Sequence, residues 1–100
     1  MKRKLYLVDY EENGQDKYKP MELTGIGCLT DSEIVQLIHF YIGRNNRLSS
    51  VAEFETDLSL HEFDRACNLP SVINIPHRVL YVDMEEINEM RRIREKMLCK

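Results

Sequence analysis

Five carboxylates stand close together in the middle of this chain: Glu53, Glu55 and Asp57 at alternate positions, then Glu62 and Asp64. No Lys or Arg interrupts them until Arg65. On an extended strand alternate side chains share a face, so the first three project together if residues 51–56 are strand. Such a row can hold a divalent cation, work as an acid/base pair, or present spaced negative charge to a basic protein. A cation needs oxygen ligands converging from other elements, and none can be named. The plain reading of the row is a solvated face. The functional reading is a docking surface made of Glu53, Glu55, Asp57, Glu62 and Asp64, with no metal and no cofactor.

Arg91, Arg92, Arg94 and Lys96 form the opposite pole. They can contact phosphate, helped by Lys2, Arg3 and Lys4. They also suit the last turns of a helix, whose dipole favours cations there. The net charge of −3 does not favour non-specific binding to nucleic acid or to an anionic membrane. A helix-turn-helix over residues 51–68 requires helix at 51–57. Its second helix would then offer His61, Glu62, Asp64 and Arg65, a mostly repulsive set for DNA.

Covalent and nucleotide chemistry have weak signals. Cys28, Cys67 and Cys99 are odd in number, widely spaced and without a CxxC pair. That pattern points to free thiols in a reducing compartment, hence a cytoplasmic protein. His39, His61 and His77 have no ligand spacing to each other or to the cysteines. Gly25 and Gly27 precede a helix but lack the third glycine or the lysine of a phosphate loop. The apolar run at residues 5–8 is too short for a signal peptide, and no run approaches the roughly 18 apolar residues of a membrane span. No enzyme activity is expected.

Three capping boxes mark helix starts. They are Thr30 with Glu33, Ser59 with Glu62, and Asp83 with Glu86, each flanked by an apolar pair. The first helix should cover residues 31–42 and stop at Gly43, with Ile34, Leu37, Ile38, Tyr41 and Ile42 on its inner face and Val35 and Phe40 widening it. A short helix over about 60–68 and a last one from Met84 follow. Strands are expected at residues 5–8 and 18–23, joined through Asn13-Gly14, and at 78–82. Residues 44–50 read as a loop, 71–76 as extended chain, and 51–56 as strand in preference to helix. The sum is an α+β fold: an N-terminal β-hairpin, a buried amphipathic helix, a further strand and helix, then a strand and C-terminal helix, in one domain spanning residues 1–100.

Small size, acidic balance and segregated charge suit a protein that works by binding another protein. An inhibitor or adaptor presenting acidic groups to a basic, nucleic-acid-handling partner is the expectation, for example an anti-defence protein of a phage or mobile element. The alternative is a nucleic-acid-binding accessory or regulator that uses Arg91, Arg92, Arg94 and Lys96.

Overall fold

The computed structural model describes residues 3–43, 45–85, 87–89 and 92. Its sheet grows from the turn at Asn13 and Gly14, whose φ angles are 54° and 79°. Two consecutive positive φ values make the type I′ turn that matches the twist of a hairpin. The turn is tight enough to recruit the polar residues beside it. β1 (Arg3–Glu12) and β2 (Gln15–Glu22) pair antiparallel up to Glu12 opposite Gln15. The hairpin is therefore longer than its apolar runs predict.

β3 (Arg47–Thr56) and β4 (His77–Leu80) complete an antiparallel sheet of order β2-β1-β3-β4. Residues 51–56 are strand, which removes the helix-turn-helix reading. β3 also starts within the expected loop, because Arg47 and Leu48 pair with Glu11 and Tyr10. A bulge between Asp9 and Tyr10 sets Leu48, not Ser49, opposite Tyr10. A one-residue slip exchanges the faces of a strand. Leu48 thereby enters the core, and Ser49 stays exposed. Pro20 falls on β2, an edge strand, where its missing N–H costs no ladder bond.

α1 (Asp31–Ile42) begins as its box predicts. Glu33 N donates to Thr30 Oγ1 at 3.2 Å, and Thr30 N donates to Glu33 Oε1 at 3.0 Å. It ends where Gly43 takes a φ of 107° and donates its N–H to His39 O. α2 (Leu60–Ala66) repeats the box with Ser59 and Glu62, both bonds at 3.2 Å. At the third start Glu85 N donates to Asp83 Oδ1, and residues 84–85, 87–89 and 92 are helical. Glu86, the expected partner in that box, lies outside the described residues. Residues 71–76 are not all extended: Pro70–Asn74 form a 3-10 turn. Pro70 supplies the fixed φ that starts it.

The sheet is a middle layer. One face packs Tyr6, Val8, Met21, Leu48, Val51 and Leu80 against Ile34, Val35, Ile38 and Ile42 of α1, with Ile87 alongside. The other packs Leu5 and Phe54 against Phe63 of α2, backed by Leu58, Cys67, Val72 and Ile75. α1 is rotated from its expected setting. Its buried residues are Ile34, Val35, Ile38, His39 and Ile42, while Phe40 and Tyr41 are exposed. Among the described residues, no helix is long and apolar enough to cross a membrane.

Candidate functional site

The antiparallel register places Tyr6, Glu53 and Arg78 side by side on β1, β3 and β4. Tyr6 and Glu53 are buried on the face beneath α1, and Glu53 is only 5 % exposed. A carboxylate so buried must be paired and hydrogen-bonded to remain charged. Both its oxygens are used. Tyr6 Oη donates to Oε2 at 2.7 Å, and Arg78 Nε donates to Oε1 at 2.9 Å. The two Nη groups of Arg78 each donate at 2.9 Å to the Asp31 carboxylate, in the first turn of α1. One row of the sheet thus grips the helix start. Asp31 lies on the same stripe of α1 as Ile34, Val35, Ile38 and Ile42, so this grip and the apolar stripe agree on how the helix is turned.

The electrostatics follow from these bonds. Burial pushes the Glu53 carboxyl up, but the hydrogen bonds from Arg78 and Tyr6 outweigh it, and its pKa falls below the ordinary 4.5. The bond from Arg78 likewise lowers the Asp31 carboxyl. Burial, and then the bonded Glu53 carboxylate, push the Tyr6 phenol well above its ordinary 10.0. Lowered carboxyl values mean that the folded form releases protons more readily than the unfolded chain. Stability should be full above pH 4.5 and should fall as pH drops through the lowered values. The raised phenol works at the other end, since stability should hold below pH 10.0 and decline above it as unfolded chains ionise at Tyr6. Urea midpoints followed across pH check both limbs. A midpoint that does not move between about pH 5 and pH 2 would contradict the pairing of Glu53.

The five acidic candidates are divided by the sheet. Glu53 is internal, as described. Glu55, two residues on, is exposed on the α1 side, opposite Lys4 in the ladder. With Glu53, Pro76, His77 and Arg78 it lines a shallow cleft of about 290 Å³. Asp57 is exposed just past the end of β3. Glu62 and Asp64 belong to α2, on the opposite layer, and Glu62 is the capping carboxylate, its pKa lowered by the Ser59 N–H. The expected row of three solvated carboxylates is therefore not formed.

Arg92 is exposed on helical backbone. Arg91, Arg94 and Lys96 lie outside the described residues, as do Lys2 and Cys99. Cys28 and Cys67 are free thiols, and burial raises the pKa of Cys67. His39 is buried, with Nε2 3.0 Å from Asn46 O. Among the described residues, no group of three or more His, Cys, Asp or Glu could hold a metal ion.

The feature that sequence reasoning misplaces is the outer side of α1. Phe40 and Tyr41 are 64 % and 58 % exposed and meet edge to face with centroids 6.0 Å apart. Beside Phe40 a shallow groove of about 350 Å³ is lined by Leu29, Glu33, Gln36 and Leu37. The signal in the sequence is an excess. Residues 34–42 hold more apolar side chains than one helix face can bury. No protein-family model, no curated protein and no solved structure matches the chain.

Proposed function

We propose that this chain works in the cytoplasm by binding another protein, as an inhibitor or adaptor of a basic, nucleic-acid-handling partner. The observation that carries the reading is the exposed pair Phe40 and Tyr41 on a helix whose opposite side is buried. Aromatic side chains are enriched in interface cores and among the residues that dominate binding energy. The basic character of the partner is argued from charge. The net charge is −3, and Glu55, Asp57 and Asp64 are exposed. Such charges act mainly on encounter rate and on the choice of partner. On this reading the chain is a small anti-defence protein of a phage or mobile element, and its partner a nuclease. The unpaired Cys28 and Cys67 support a reducing compartment.

The test is affinity capture from cells of the source organism, comparing wild type with Phe40→Ala/Tyr41→Ala and with Glu55, Asp57 and Asp64 changed to Lys. A basic protein captured by wild type should be lost with the aromatic variant. With the charge-reversed variant it should associate more slowly and with less dependence on salt. Capture that survives loss of both aromatics would overturn the reading. The nucleic-acid alternative has Arg92 in its favour. For this acidic chain, affinity for generic duplex DNA should be no tighter than the ~10⁻⁴–10⁻⁶ M of ordinary non-specific binding. Submicromolar binding that is lost in Arg92→Ala would establish the alternative instead.

A further inference from the structure

We infer that the chain self-associates through the outer edge of β4, two copies pairing antiparallel about a two-fold axis at Val79 so that their sheets join. The two edges of the sheet are built differently. β2 carries Asp16, Lys17, Lys19 and Pro20, the charges and the missing donor by which edge strands resist pairing. β4 is shorter, four residues, and carries neither lysine nor proline. Its one arginine, Arg78, is half exposed, but its guanidinium is committed to Glu53 and Asp31 rather than to the open edge.

The ladder fixes which backbone groups of β4 are available. Glu55 N donates to Pro76 O at 3.3 Å, and Glu53 and Val51 pair with Arg78 and Leu80. Antiparallel ladders alternate bonded and non-bonded pairs. Residues 76, 78 and 80 therefore address β3, and His77, Val79 and Tyr81 direct their N–H and C=O away from the sheet. Side chains follow the same alternation. Leu80 is buried, whereas Val79 and Tyr81 are 70 % and 79 % exposed.

This edge is complementary to itself. With the axis at Val79, Val79 meets Val79 of the second copy, and His77 meets Tyr81 at both ends. All three outward-facing residues then gain bonded partners. The side-chain pairs are β-branched with β-branched and aromatic with aromatic, combinations that stabilise neighbouring strands. Arg78 falls opposite Leu80, so no like charges face each other. The contact is isologous, as a closed two-fold pair requires. The edge is short, which places the interface at the small, weak end of specific association.

Sedimentation velocity over roughly 10 μM to 1 mM reads the result, since small interfaces bind in that range. The weight-average mass should rise with concentration toward twice that of the monomer. Val79→Pro removes only an outward donor and leaves the β3 ladder intact. It should weaken association by at least about tenfold. Val79→Lys should do the same by placing a charge on the edge, and it stands in if the proline variant does not fold. Phe40→Ala/Tyr41→Ala should associate like wild type, which separates this surface from the one on α1. A monomer at every concentration overturns the inference. So does a dimer that either Val79 variant forms at wild-type strength, or one lost only with the α1 aromatics.

Discussion

Glu53→Lys is expected to leave the protein largely unfolded in water at room temperature. The substitution puts a cation where a 5 % exposed carboxylate now sits, beside the Arg78 guanidinium and against a phenol that has only its hydroxyl to offer. Arg78 is 53 % exposed, so the main cost is the lysine's own buried charge, now without a counter-ion, about 3–5 kcal/mol. Here the replacement also repels Arg78 and releases its hold on Asp31 at the start of α1. Small domains have roughly 5–15 kcal/mol in total, and for a chain of 100 residues near the lower end of that range the combined loss reaches the whole of it. Glu53→Gln removes the charge but keeps an oxygen for Tyr6, and should cost about 1–3 kcal/mol. Glu55→Lys, on the same side of the same strand but exposed, should stay within about 0.5 kcal/mol. Urea unfolding followed by circular dichroism ranks the three. If Glu53→Lys unfolds at the same urea concentration as Glu55→Lys, Glu53 is not the buried pivot described above.

That contrast also shows what is legible from sequence. Thr30, Ser59 and the Asn13-Gly14 turn announce themselves because their bonds close within three residues; α1 and α2 begin where expected, and the turn falls where expected although its strands run further. The α+β class follows from the order of such local signals. Glu53 is different. Its partners are 25 and 47 residues away, at Arg78 and Tyr6, and no local pattern names them. Alternation in 51–57 reads as one apolar and one solvated face, a reading that holds only for a sheet covered on one side. This sheet is covered on both, so Val51 and Glu53 are buried under α1 and Phe54 under α2. A carboxylate in phase with Val51 is the trace that this leaves in the sequence. The setting of α1 is hidden for a similar reason. Residues 34–42 are apolar nearly all round, so periodicity alone cannot choose between faces, and the clamp from Arg78 to Asp31 lies on the face that is buried.

Phe63→Ala should produce the second large loss, with a different distribution. Phe63 is fully buried and meets Phe54 edge to face with centroids 5.0 Å apart. It is the only buried residue that α2 contributes. Truncating a core phenylalanine costs about 3–5 kcal/mol, more where the surroundings cannot close on the cavity. Leu5 and Phe54 stand on β1 and β3, which also carry the larger core beneath α1, so they cannot move far toward the gap. A seven-residue helix has too few turns to persist without its packing. Loss of amide protection should therefore begin in α2 and the Pro70–Asn74 turn, while α1 and the centre of the sheet open only with global unfolding. Phe63→Leu should restore most of the stability and the protection together. Hydrogen exchange resolved by segment reads the order. Uniform loss across both layers would mean that the α1 core and the α2 core act as one cooperative unit, and that the sheet does not insulate them.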